Sequence, residues 1–272
     1  MAVRNRIAAK DVYSAGVGAL YADADVSCSP VSRDMLLDLA ADHGVDQSSL
    51  VLDIGCANGG VSRRLLARTG CRIDGVELLP FLVSMGEEEN KALGVGDRFA
   101  IQQGTITDIP FPDDHFDFVF CSDVIGMVDD LPKALAECSR VLKPQRRMLI
   151  YVSFPTGRLE EREARDVDET QGAAAGLLGE APAERCISEN FTLVQKIVIG
   201  SQFTQHDVEN SKDASEATES LLRIARLLTC PDRYIKKYGE EKYRIVLAGS
   251  HWPLYILLGK VRPTVFIVEN AP

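Results

Sequence analysis

The chain has 272 residues, 46% of them hydrophobic, enough to build one large α/β core. Its formal net charge is −10, and its Lys and Arg residues cluster only in short pairs such as Arg63-Arg64, Arg146-Arg147 and Lys236-Lys237. Tracking a nucleic-acid backbone needs a basic face, so nucleic acid is not expected as a partner.

Residues 1–30 are small and polar, with Tyr13 and Tyr21 interleaved. Residues 31–43 carry Val31, Met35, Leu36, Leu39 and Ala40 at helical spacing, with Ser32 as N-cap and His43-Gly44 as the stop. Ser49 to Ile54 then reads as a buried strand, Val61 to Arg68 as a helix, and Cys71 to Glu77 as a second strand. A Glu-rich helix is expected over Phe81 to Leu93, a third strand over Arg98 to Gln103 and a fourth over Phe116 to Ser122. Asp130 to Leu142 reads as a helix ended by Lys143-Pro144, and Met148 to Phe154 as a fifth strand. This alternation implies parallel βαβ units, and near-continuous apolar strands suit a sheet covered on both faces.

After Phe154 the rhythm breaks. Residues 156–170 are dominated by Arg, Glu and Asp and 172–179 by Gly, Ala and Leu, which reads as a helical insertion. Phe191 to Phe203 resembles a sixth strand. An amphipathic helix over Ser215 to Leu228 is expected to pack on the core. Residues 240–259 suggest a helix kinked near Trp252-Pro253, and Val261 to Glu269 the last strand. The fold class expected is α/β: a doubly wound, mostly parallel, seven-stranded sheet of the Rossmann-like kind, with N-terminal helices and a helical cap.

The seven cysteines (Cys28, Cys56, Cys71, Cys121, Cys138, Cys186 and Cys230) show no C-x-x-C spacing. They suggest neither a zinc site nor a disulfide framework, and a reduced, cytoplasmic setting is the simplest reading. No apolar core follows the basic stretch Met1 to Lys10, so no secretory signal is expected. No apolar run approaches the ~18–20 residues that span a bilayer.

The sharpest signal is the run from Val51 to Gly60, where Asp53 stands ahead of Gly55, Cys56, Ala57, Asn58, Gly59 and Gly60 at a strand-to-helix handover. Glycine there admits a close ligand and positive φ. The glycines miss the G-x-G-x-x-G register of dinucleotide folds. Asp53 would repel a pyrophosphate, but it can accept a hydrogen bond from an ammonium group. The next strand ends at Glu77, 24 residues on. A carboxylate at that strand end suits two ribose hydroxyls, and Leu78 could cover one face of an adenine.

With these features the chain resembles the class I S-adenosylmethionine-dependent methyltransferases, particularly the ubiquinone/menaquinone-biosynthesis-like small-molecule branch. The resemblance spans residues 48–154. It rests on the Asp53 to Gly60 turn, Glu77, the segment Gly104 to Phe111, the strand Phe116 to Phe120 running into Ser122-Asp123, and Arg140 to Pro144. It implies S-adenosylmethionine as cofactor, with S-adenosylhomocysteine as product. Asp53, Gly55, Cys56, Ala57 and Gly59 would line its methionine half, Glu77 and Leu78 its nucleoside, Thr105 and Ile106 the adenine edge, and Asp123 the inner wall. The chain departs from the family pattern in four places: Ala57 replaces a glycine, Thr105 replaces a common Asp, Gln145-Arg146 replaces a glycine pair, and Met127 lies near where many members carry a His.

The resemblance also implies an organisation: one methyltransferase domain over 1–272, with an N-terminal helical lid (1–47), a cofactor-binding core (48–154) and helical cap insertions (155–190 and 207–260). Candidate substrate-binding residues are Tyr13, Tyr21, Met127, Phe154 and Phe203, and His206 is the candidate base. His115 is expected to face solvent. No metal is expected. The acceptor is expected to be a small, hydrophobic metabolite or natural product of secondary metabolism. Association into a homo-oligomer is left open. Three alternatives stay open: an S-adenosylmethionine-binding enzyme repurposed for a reaction such as cyclisation, a nicotinamide-dependent oxidoreductase, and a non-catalytic binding protein.

Overall fold

The structure, a computed structural model, describes residues 33–165, 179–200 and 216–272. Helix α1 (Arg33–Asp42) precedes β1 (Leu50–Ile54), α2 (Gly60–Thr69), β2 (Arg72–Glu77), α3 (Pro80–Ala92) and β3 (Phe99–Gln103). β4 (Phe116–Ser122), α4 (Leu131–Val141) and β5 (Leu142–Pro155) follow. The remainder comprises α5 (Glu180–Asn190), β6 (Phe191–Val198), α6 (Glu216–Thr229), α7 (Pro231–Tyr238), α8 (Glu240–Leu257) and β7 (Val261–Asn270). The strands form one seven-stranded sheet in the order β3-β2-β1-β4-β5-β7-β6. β1 pairs in parallel with β2 and β4, β2 with β3, and β4 with β5. The sheet expected from the alternation of strands and helices is therefore present.

The chain divides into two compact units. Among the described residues, one comprises 33–152, 180–197 and 264–272; the other comprises 153–165, 179, 198–200 and 216–263.

In the first unit, β4 is buried along almost its whole length (Phe116, Phe118, Val119, Phe120, Cys121), as a central strand between two helical layers must be. α4 buries Leu131, Ala134, Leu135, Cys138 and Val141, one stripe at helical spacing. Its N-cap Asp130 accepts from the Lys133 N–H. Fully buried Asn90 ties α3 to its neighbours: its amide donates to the Phe99 carbonyl and accepts from Arg63 of α2.

Arg140 pins the segment ahead of β4. Its guanidinium donates to Glu137, Asp113 and the carbonyls of Ile109 and Phe111. The edge strand β6 is mostly exposed. It carries Lys196, which pairs with Glu180 and Glu184 of α5, and a charge on an edge discourages pairing with other chains.

Several expectations are corrected. β5 begins at Leu142, not Met148: Leu142 pairs with Phe116 before the register shifts so that Arg147 meets Phe118. The residues between them bulge, with Gln145 at φ +58, the left-handed conformation a glycine would occupy at less cost. His115 does not face solvent. It is half-buried, stacked on Phe111 at 5.5 Å and edge-on to Phe116 at 4.8 Å. α5, which packs on α4, and α7 carry no expectation from the sequence pattern. Helix α8 runs through Pro253 to Leu257. β6 ends at Val198, and residues 201–203 of the expected strand lie outside the described residues.

Candidate functional site

The C-terminal ends of β1 and β2 meet at the glycine turn. Gly55 N–H donates to the Val76 carbonyl at 2.8 Å, and Gly104 N–H donates to the Glu77 carbonyl at 3.0 Å, so the loops after β1, β2 and β3 are stitched edge to edge. Gly55 lies at φ +68 and Gly59 at φ +83. A Cβ at Gly55 would meet Val124 Cγ2 at 2.4 Å, and one at Gly59 would meet Phe99 Cε1 at 2.5 Å. Glycine is required at both by conformation and by space. Ala57 lies between them at φ +50, so it bears a left-handed penalty that the family's usual glycine avoids.

Asp53 is buried at the end of β1 and accepts from the Ser62 hydroxyl of α2. Burial pushes its carboxyl up to about 7, opposed by the Ser62 hydrogen bond and reinforced by the charge of Glu77. Glu77 is buried at the end of β2. Its Oε2 accepts from the Ala57 N–H at 3.0 Å and its Oε1 from the Leu79 N–H at 2.9 Å. A carboxylate offers about four lone-pair sites. One backbone bond to each oxygen therefore leaves acceptor capacity on both. The thiol of Cys56, buried beside this pair, is pushed far above its usual value, first by burial and then by the charges of Asp53 and Glu77. It sits here as a small apolar side chain, not a nucleophile.

The other expected cofactor residues lie around the same strand ends. Leu78 is exposed directly after β2. Thr105 follows β3, with its hydroxyl 3.2 Å from that of Thr107, and Ile106 beside it is buried. Asp123 follows β4, exposed and at φ +58, its N–H donating to the Tyr151 carbonyl at 2.9 Å. Met127 closes a short 3-10 helix after β4 and is exposed. Phe154, a candidate substrate-binding residue, lies near the end of β5, which continues to Pro155, and its side chain is buried. Tyr13, Tyr21, Phe203 and His206 lie outside the described residues. Sequence reasoning missed Ser62, Val124 and Phe99, the three side chains that hold the turn; only Ser62, one turn into the helix after the glycines, carried any local signal.

The donor set fits an adenosyl amino-acid group. A side-chain-free bend leaves room for a backbone-hugging chain, Asp53 offers an acceptor for an ammonium group, and Glu77 keeps acceptor sites for a diol. No cluster of three or more His, Cys, Asp or Glu side chains able to hold a metal occurs among the described residues.

Residues 52–150 match the family model described as "Methyltransferase domain". The sterol 24-C-methyltransferase of Eremothecium gossypii is 31% identical over 123 residues, 45% of this chain and 33% of that protein. The chain thus spans about a third of the length of the curated relatives it matches. Among solved structures, the geranyl diphosphate C-methyltransferase of Streptomyces coelicolor A3(2) is similar with a TM-score of 0.64 and 17% identity, covering 88% of this chain and 77% of that one. The [4+2]-cyclase SpnF is similar with a TM-score of 0.67 and 16% identity, covering 88% and 80%. Residues 52–150 thus match a methyltransferase domain, of the class I S-adenosylmethionine-dependent kind.

Proposed function

We propose that the protein transfers a methyl group from S-adenosylmethionine to a small, hydrophobic acceptor. The reading rests above all on Asp53 and Glu77, buried at adjoining strand ends on the two sides of a glycine turn, with acceptor sites on Glu77 that the protein leaves unused. The names of the relatives support an apolar acceptor: a sterol and a geranyl diphosphate are the substrates named for two of them. The quinone-biosynthesis-like branch, a natural-product role and a cytoplasmic setting are finer parts of the same proposal, as is a small-molecule rather than nucleic-acid partner.

The cofactor, when bound, supplies a methyl group already activated on a sulfonium, so the protein's work is orientation and exclusion of water. Glu77 accepts from the two ribose hydroxyls, and Leu78 covers a face of the adenine. Thr105 and Ile106 flank the adenine edge. The backbone of Gly55, Cys56, Ala57 and Gly59 passes the amino-acid half, whose ammonium group Asp53 receives directly or through water. Asp123 forms the inner wall. Met127 is assigned to the acceptor; Tyr13, Tyr21 and Phe203 are the further candidates for binding it, and His206 the candidate to take a proton where the acceptor must lose one.

Calorimetry with S-adenosylhomocysteine on the wild type and on Glu77→Ala tests this. Clear binding by the wild type is expected, weakened at least tenfold in the variant, about 1.4 kcal/mol. Equal affinities would discard the ribose assignment. A wild type that responds to a nicotinamide dinucleotide and not to S-adenosylhomocysteine would discard the enzyme class. The likeness in fold to a [4+2]-cyclase keeps a second reading in view, in which the cofactor is retained but no methyl group moves. Product formed without label from a methyl-labelled donor would favour it.

A further inference from the structure

α6 is apolar on both sides. Its buried side holds Ile224 (8% exposed) and Leu227 (0%) together with Ser220 (0%) and Arg223 (1%), and Leu221 (52%), Leu222 (49%) and Leu228 (58%) face outward. At 100° per residue, Leu228, Leu221, Ala225, Thr229, Leu222 and Arg226 occupy one arc of about 160°. Those six are the exposed positions from 221 to 229, and only Thr229 and Arg226 among them are polar. A helix facing water carries its charges outward. Here the guanidinium of Arg223 is turned inward, its Nη1 3.3 Å from the Ser250 hydroxyl of α8, and leucine takes the water-facing positions.

Beside this face runs a basic rim. α7 packs inward through Tyr234, Ile235 and Tyr238 and turns Arg233, Lys236 and Lys237 outward. Residues 226–238 carry four cations (Arg226, Arg233, Lys236, Lys237) against one carboxylate (Asp232), a local charge of +3 in a chain of net charge −10. A cleft of about 480 Å³ joins the two helices, with Leu222 and Ala225 on its apolar side and Arg226 and Arg233 on its charged side.

We propose that this α6–α7 face docks onto an anionic phospholipid surface, with the leucines entering the acyl boundary and the basic rim resting on the headgroups. Exposed leucines flanked by Arg and Lys are the composition of an interfacial helix face. The local positive charge in an otherwise acidic chain selects an anionic partner. A second copy of the chain fits less well, because a two-fold contact through this face would set the basic rim against itself. Docking here leaves the helix on the membrane and not across it: no described helix is long and apolar enough to span a bilayer. The inference does not depend on methyl transfer.

Flotation with phosphatidylcholine vesicles, and with vesicles of equal parts phosphatidylcholine and phosphatidylglycerol, tests it. The wild type is expected to float at least tenfold more with the anionic vesicles, and less as salt rises. The triple variant Leu221→Ser, Leu222→Ser, Leu228→Ser should lose at least fivefold of that binding. The triple variant Arg233→Gln, Lys236→Gln, Lys237→Gln should lose a similar share, together with most of the salt dependence. Circular dichroism and S-adenosylhomocysteine binding report whether each variant is folded; if the leucine variant is not, the charge variant decides alone. Absence of flotation with anionic vesicles overturns the proposal, as does flotation unchanged by the variants. So does a wild-type dimer in sedimentation that the leucine variant converts to monomer, since the face would then be a contact between copies.

Discussion

α4 and α6 both bury apolar residues at helical spacing, but only α6 also turns leucines outward. α4 sends Leu131, Leu135 and Val141 into the sheet's covering layer and leaves Lys133 toward solvent. α6 sends Ser220, Arg223, Ile224 and Leu227 inward and three leucines, Leu221, Leu222 and Leu228, outward. A hydrophobic stripe therefore marks a face of a helix without saying which medium that face meets. Next to a sheet, where every strand needs cover, the stripe goes in. In α6 the inner positions are shared by Ile224 and Leu227 with polar Ser220 and Arg223, and three further leucines are left on the outer face.

The same contrast separates the glycine turn, where every atom is constrained, from the outer face of α6, where few are. The largest effect is expected at Gly59. Gly59→Ala would set a Cβ 2.5 Å from Phe99 at a left-handed φ and should cost about 2–5 kcal/mol, read from the urea midpoint. A cost below about 1 kcal/mol would show that Phe99 yields and that the turn is not rigid.

Next comes Asp53, whose carboxyl is held up near 7 mainly by burial. The folded chain keeps that proton to about pH 7, while the unfolded chain releases it near 3.8. The group's contribution to stability is therefore full below pH ~4, falls as the pH rises toward ~7, and is level above that. The fall should be on the order of a few kcal/mol. Asp53→Asn should flatten it when unfolding is compared at about pH 5 and about pH 8. A slope that survives the substitution would assign the titration elsewhere. The smallest effect is expected on α6: Leu222→Ser should change stability by no more than about 0.5 kcal/mol. A loss above about 1.5 kcal/mol would mean that the leucine is packed, and the contrast with α4 would fail.

The cofactor end was legible because its requirements are local. Asp53, the glycines and Glu77 occupy strand ends whose apolar runs are short and sharply bounded, and both carboxylates are buried where the strand pattern ends. α5 was not legible: it buries only Ala183 and Ile187, too little apolar surface to show a stripe. α7 has eight residues, begins at Pro231 and ends at Tyr238 after a lysine pair, so its pattern is too short to show a period. The start of β5 at Leu142 was not legible, because it depends on pairing with Phe116 of a neighbouring strand, which no local residue signals.

By itself, the order of apolar runs, glycines and carboxylates determined the sheet, its winding and the neighbourhood of the nucleoside site, because backbone hydrogen bonding and side-chain burial leave few ways to satisfy such a pattern. Only the tertiary structure decided that Phe99 and Val124 close the glycine turn, that Ser62 holds Asp53, and that α6 buries Ile224 and Leu227 while Leu221, Leu222 and Leu228 face outward. Each of these depends on side chains brought together by packing, and the distances between them are set by neighbours the local sequence does not name.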